Sequence, residues 1–175
     1  MSETAGVPRL RPSVEGDEET LWLMLYFASH SNDERGVGPE DIRSNPDLVG
    51  YIEGWRRGGR IGVIAEIGDS PIGAAWLRLL VDDDRANPVF MGAETPELAI
   101  AVLPDHQGRG VGSIMLSELL SISGHVDIVL SVRADNPAVR LYERFGFEGS
   151  GTITNRVGTV SIRMHRPATG GSSSE

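Results

Sequence analysis

The segment richest in chemistry is Ile100-Ala-Val-Leu-Pro-Asp-His-Gln-Gly-Arg-Gly-Val-Gly-Ser113. An apolar run leads into glycines at 108, 110 and 112, and an apolar periodicity of Val111, Ile114, Met115, Leu119 and Ile122 begins at once. This pattern predicts a strand, a tight turn and a helix. Alternating glycines let successive backbone N–H groups converge on one concavity. The helix N-terminus adds unpaired donors and roughly half a positive charge. Pyrophosphate binding is the chemistry such a turn can do; a plain strand-to-helix connection is the alternative. A dinucleotide turn of the G-x-G-x-x-G kind fails in both registers, because its third glycine falls on Ser113 or Met115. A P-loop needs Gly-Lys, and the chain contains no lysine.

Other chemistries are narrowed by what the chain lacks. With no cysteine, disulfides, thiolate metal sites and a cysteine nucleophile are excluded. The histidines at 30, 106, 125 and 165 show no ligand spacing, so no metal is expected. A net charge of -9 repels nucleic acid phosphates, and any anionic cofactor must rest on local donors. The longest apolar run, Leu21 to Ala28, is short of the roughly 20 residues a membrane helix needs. The first residues are acidic and polar, unlike a signal peptide. A cytoplasmic, metal-free protein that contacts neither membrane nor nucleic acid is the expectation.

Stepping outward, Val7 to Arg11 reads as a first strand. The acidic stretch Glu15 to Glu19 suits a helix start and leads through Leu21 to Ala28. His30 to Gly38 reads as a loop. Asn45-Pro46 is an N-cap and first-turn pair, predicting a helix through Leu48, Ile52 and Trp55 to Gly58-Gly59. Arg60–Ile67 and Pro71–Leu80 flank a Gly-Asp-Ser turn as a hairpin. Val81 to Gly92 is a loop, and Glu97 to Leu103 a fourth strand. Val126–Val132 is a strand, Asn136-Pro137 opens a helix ending at Phe145-Gly146, and strands at about 147–153 and 158–166 close the chain. Trp22, Trp55 and Trp76 sit in apolar patterns and are assigned to the core. The alternation predicts a single α/β (mixed α+β) domain over residues 1–166, with helices on both faces of a mixed sheet. A disordered tail is expected over 167–175.

Two of these segments carry a family resemblance. Gln107-Gly-Arg-Gly-Val-Gly112 resembles the Q/R-x-x-G-x-G/A signature of the GNAT superfamily of N-acyltransferases. About thirty residues on, Asn136-Pro-Ala-Val-Arg-Leu-Tyr-Glu-Arg-Phe-Gly-Phe147 is similar to that family's second motif. The order of elements fits over about residues 7 to 166. The resemblance implies a mostly antiparallel mixed sheet of about seven strands with a splayed parallel pair. It implies acetyl-CoA as co-substrate and direct acetyl transfer to a primary amine of a small molecule or peptide, in a ternary complex. The main chain of Ile100, Ala101 and Val102 would hold pantetheine, and residues Gln107, Gly108, Arg109, Gly110, Val111, Gly112 and Ser113 the pyrophosphate. Asn136 would reach the pantetheine arm, or serve only as a helix cap. Tyr142 would protonate the departing thiolate, although Ala138, Leu141, Tyr142 and Phe145 also form an ordinary core stripe. The loop from His30 to Gly38, the helix after it and the last hairpin near Asn155-Arg156 would shape the acceptor pocket. A homodimer is compatible with the resemblance, with no interface legible in the sequence.

The pattern breaks at the general base. Ser131 stands where one branch of the family has a glutamate, and Pro96, Leu98 and Ile100 occupy the fourth-strand face where others carry an acid or histidine. Glu97 should point to the opposite face, and Glu94 lies beyond the strand. A weak base suits an α-amino group, whose neutral form at pH 7 costs about 1 kcal/mol against about 4.6 for a lysine-like amine. The acidic surface instead favours a strongly cationic acceptor. A non-catalytic acyl-CoA sensor of the same fold is the alternative, and Tyr142 argues against it. Arg133, Arg140 and Arg144 could meet the cofactor's 3′-phosphate but read as solvent-facing.

Overall fold

A computed structural model describes residues 6–53, 55, 61–80, 87–154 and 158–169. Gly58-Gly59, Asn155-Arg156 and residues 170–175 of the expected tail lie outside them. The elements are β1 (Arg9–Pro12), α1 (Glu18–Ala28), α2 (Pro46–Val49), β2 (Gly62–Ile67), β3 (Ser70–Arg78), β4 (Glu97–Val102), α3 (Val111–Ser123), β5 (Ile128–Arg133), α4 (Ala138–Arg144), β6 (Glu148–Thr154) and β7 (Val160–Arg166). The strands form a seven-stranded mixed sheet in the order β1-β2-β3-β4-β5-β7-β6. No described helix is long and apolar enough to cross a membrane.

The chain forms two compact units, Met1–Trp76 with Ala99–Ile122, and Leu77–Leu98 with Ser123–Glu175. In the first unit β1 and β3 pair antiparallel with β2. β2 is buried at five successive positions, as its unbroken Gly-Val-Ile-Ala run requires of a strand covered on both faces. The core unites Leu21, Trp22, Met24 and Leu25 of α1 with Trp55, Ile64, Trp76, Ala99 and Ala101. All three tryptophans are buried, as their patterns predict. Trp55 and Trp76 donate their indole N–H groups to the carbonyls of Val14 (3.2 Å) and Tyr51 (3.1 Å), so neither buries an unpaired donor.

Arg11 ties the start of this unit together. Its Nε donates to Glu66 Oε1 at 2.7 Å, and its terminal nitrogens donate to both oxygens of Asp17 at 2.8 Å. Burial pushes the Asp17 carboxyl up, but the bonds from Arg11 and the Val14 amide, with the Arg11 charge, outweigh it and leave the carboxyl below its ordinary range. Arg11 and then Arg9 likewise hold Glu66 down.

The predicted second helix is shorter than its apolar spacing suggests. Asn45 caps it, accepting from the Asp47 amide at 3.0 Å with Pro46 in the first turn. α2 nevertheless ends at Val49, and Tyr51, Ile52 and Trp55 donate to carbonyls three residues back. Gly50 follows, a poor helix residue, and the tighter turns still bury Ile52 and Trp55.

In the second unit β5 pairs antiparallel with β7, and β7 with β6. β4 and β5 run parallel and share one register position among the described residues, Glu97↔Val129. Its small core joins Leu80, Val89 and Val129, with Phe90 and Ile153 against them.

Candidate active site

β4 alternates as a strand should. Ala99 and Ala101 are buried in the core cluster, while Ile100 and Val102 are half-buried on the other parity. The Leu103 amide donates to Ile72 O at 2.8 Å, which fixes the end of the strand beside β3. The Val102 carbonyl accepts from Gln107 Nε2 at 2.9 Å. Gln107 therefore fastens the following turn back onto the strand.

The turn itself is set by backbone conformation. Gly108 and Gly110 have φ of 72° and 81°, the left-handed region that side chains resist. Among the described residues, no atom beyond the chain neighbours lies within 4 Å of where either Cβ would be, so it is backbone strain that disfavours a side chain here. The Gly110 carbonyl accepts from the Ile114 amide at 3.1 Å, the first turn of α3. The third glycine, Gly112, falls inside that turn. The open space over two left-handed glycines and the start of a 13-residue helix fits a diphosphate, which requires close backbone approach and unpaired N–H donors. Arg109 is exposed. With His106 and Val111 it borders a cavity of about 250 Å³ whose other walls are Ile67, Ile72 and Gly6–Pro8.

In the second unit, the Asn136 side chain accepts from the Ala138 amide at 2.9 Å, so it caps α4. It also lines a cavity of about 480 Å³ with Ala134, Asp135, Pro137, Val139, Arg140 and Glu143. Tyr142 is 7% exposed and meets Phe147 edge-on, with ring centroids 5.9 Å apart. Its hydroxyl has no hydrogen-bond partner among the described residues. Burial pushes the phenol well above its ordinary value, so it stays protonated through neutral pH.

The acids expected near the strand are accounted for. Glu97 is 2% exposed, and its Oε2 accepts from Arg78 Nε at 2.8 Å and lies 2.6 Å from the guanidinium's terminal nitrogen. Such a carboxylate is paired and shielded from solvent. Glu94 and Ser131 are exposed. Arg133 is engaged by Asp135 at 3.1 Å, and Arg140 and Arg144 are exposed. Arg78 was missed by sequence reasoning; its signal was a charge closing an otherwise apolar strand.

The loop after α1 is closely tied. The Tyr26 hydroxyl donates to Val37 O at 2.9 Å, the Ser29 and Ser31 hydroxyls meet at 2.8 Å, and Ser31 is buried. His30 has φ 58°, the only positive φ of a non-glycine among the described residues. Its Nδ1 lies 3.6 Å from Asp33 Oδ2, an ion-pair distance.

Comparison with known proteins bears on this arrangement. The sequence model of the acetyltransferase (GNAT) family matches residues 9–147. A mycothiol acetyltransferase of Clavibacter sepedonicus is 31% identical over 144 residues, covering 77% of this chain and 41% of the relative. An uncharacterised protein of Mycobacterium leprae is 51% identical over 53 residues, which are 30% of this chain and 15% of that protein. The chain thus spans less than half the length of the curated relatives it matches. Among solved structures, the acetyltransferase yncA of Salmonella typhimurium, determined with acetyl-CoA, superposes with a TM-score of 0.67 at 20% identity, over 96% of this chain and 98% of that one.

Proposed function

The chain belongs to the acetyltransferase (GNAT) family, and from that premise we propose that it moves an acetyl group from acetyl-CoA directly to a primary amine of a small molecule or peptide, in a ternary complex in the cytoplasm. The pair of left-handed glycines opening onto the first turn of α3 carries the reading. Backbone groups of Gly108 to Ser113 would hold the pyrophosphate, with Arg109 adding a cation and Gln107 fixing the turn. The main chain of Ile100, Ala101 and Val102 would hold the pantetheine amides and polarise the thioester carbonyl. Asn136 would contribute beside the pantetheine arm while capping α4.

Tyr142 would supply a proton to the departing sulfur. A buried phenol retains its proton until a strong base forms nearby. A thiolate, with a parent thiol near 8.5, becomes such a base only where it too is desolvated. Without cysteine, the amine attacks the thioester directly, not through a thiol-bound acyl-enzyme. The relative's name and the acetyl-CoA in the Salmonella structure support acetyl as the group moved.

A non-catalytic acyl-CoA sensor is the second reading, favoured by one observation: Arg78 sequesters Glu97. Thiol release from acetyl-CoA, measured with a panel of peptides, polyamines and aminoglycosides, separates the two. An amine-dependent release establishes transfer; cofactor binding without release with every amine establishes the sensor.

A further inference from the structure

We propose that Gly73 is a positioning residue for the cofactor strand: its missing side chain lets β4 settle where the main-chain groups of Ile100 and Val102 can address pantetheine. The inference rests on the acetyl-CoA reading above. Gly73 is a buried residue within β3. Glycine weakens a strand interior, where it often marks the close approach of another backbone. Its φ is not among the left-handed ones, so conformation does not call for glycine here. Space does. A Cβ at this position would stand 2.9 Å from the Ala101 carbonyl oxygen, 2.9 Å from Met115 Cε and 3.2 Å from Met115 Sδ. Gly62 of β2 also lacks room, but the atoms nearest its Cβ belong to the side chains of Ser13, Trp55 and Trp76. At Gly73 it is the main chain of a neighbouring strand that is in the way.

That main chain belongs to the segment assigned to pantetheine. β3 and β4 are neighbours in the sheet. They run in opposite senses here: the Leu103 amide donates to Ile72 O at 2.8 Å, while the Ala101 carbonyl lies against Gly73. Residues 101 and 103 therefore turn their main-chain groups toward β3. By the alternation of an antiparallel pair, Ile100 and Val102 turn theirs away. In keeping with this, the Val102 carbonyl accepts from Gln107 Nε2 at 2.9 Å and not from β3. How closely Ala101 seats on Gly73 thus sets where Ile100 and Val102 present those groups. Met115, fully buried, brings α3 to the same spot.

The two conflicts a side chain would create are unequal. The end of a methionine is flexible and can swing aside. A carbonyl held in a sheet yields only if its strand moves. Ordinary contact begins at 3.4 Å, so a methyl at 73 must push the Ala101 oxygen back from 2.9 Å, a shift of about half an ångström. A misplacement of about 1 Å can cost about 10²-fold, so a loss of about tenfold is expected of this one.

The test compares Gly73→Ala, Met115→Val and Gly73→Ala/Met115→Val in the full chain. Valine lacks both atoms of Met115 that the methyl would strike. The double variant therefore removes the side-chain conflict, keeps the conflict with Ala101, and should unfold cooperatively. Its affinity for acetyl-CoA in calorimetry should fall about tenfold or more relative to Met115→Val. Affinity for adenosine 3′-phosphate 5′-diphosphate, which keeps the phosphates but lacks pantetheine, should be the same in both. A role in packing alone would lower the unfolding midpoint and leave both affinities unaltered, and that result overturns the inference. Equal loss for both ligands also overturns it, since the glycine turn would then have moved and not the strand alone. Failure of the wild type to bind acetyl-CoA refutes the cofactor reading itself, and this inference with it.

Discussion

Replacing Tyr142 by phenylalanine separates chemistry from packing. The ring is buried, and its edge-to-face contact with Phe147 involves carbon atoms that phenylalanine retains. The hydroxyl has no partner among the described residues, so its removal breaks no hydrogen bond. The hydroxyl is not among the fully enclosed, unbonded polar atoms, so it keeps some solvent contact and its removal relieves little desolvation. Tyr142→Phe should then leave stability within about 0.5 kcal/mol of the wild type. The rate of the chemical step should fall by about 10² to 10⁴, the range for losing one general acid. Affinity for acetyl-CoA should be nearly unaltered, because the residue is assigned to the leaving group and not to the cradle. Single-turnover thiol release and thermal unfolding with and without acetyl-CoA read all three quantities. Full single-turnover activity in the variant would refute the assignment. A loss of several kcal/mol of stability would show that the hydroxyl is bonded in the folded protein, against the structural reasoning.

Three further perturbations test other parts of the molecule. Gly110→Ala should cost about 1–2 kcal/mol of stability from the left-handed φ alone. Gly110→Glu should in addition abolish acetyl-CoA binding in calorimetry while circular dichroism stays native. Arg78→Met should destabilise by about 3–5 kcal/mol by leaving the buried Glu97 carboxylate short of its partner, with much recovered in Arg78→Met/Glu97→Leu; denaturant midpoints of both decide it. Asp17 and Glu66 have depressed carboxyls. Their contribution is full above the ordinary carboxylate range and is lost as pH falls below about 4, through the folded values. Asp17→Asn should therefore flatten the acid limb of unfolding midpoint against pH.

The features legible in the sequence are those written in a few adjacent residues. The strand-turn-helix around Gly108 and Gly110, the asparagine caps at 45 and 136, and the tryptophan core all follow from local spacing. Sequence pattern overextended α2 because Leu48, Ile52 and Trp55 have helical spacing, whereas the chain buries them through tighter turns after Gly50. The Arg78–Glu97 pair joins residues 19 apart on different strands, so neither local window contains it. The left-handed backbone of His30 was equally hidden, since no glycine marks it. Acidic residues near the fourth strand could be counted from the sequence; which of them an arginine would sequester depended on strand pairing.

The three Asn-Pro steps also bear on how this protein ages. Asn45, Asn87 and Asn136 each accept, through the side-chain oxygen, from the amide two residues on, at 3.0, 3.1 and 2.9 Å. Spontaneous deamidation of asparagine begins when the backbone nitrogen of the next residue attacks the side-chain amide to close a succinimide. Proline has no N–H to deprotonate, so that ring cannot form at any of the three. The same dipeptide that shapes these turns therefore exempts them from the commonest chemical clock in proteins, and stored protein should accumulate isoaspartate elsewhere, with Asn32-Asp33 a site where the following N–H is present.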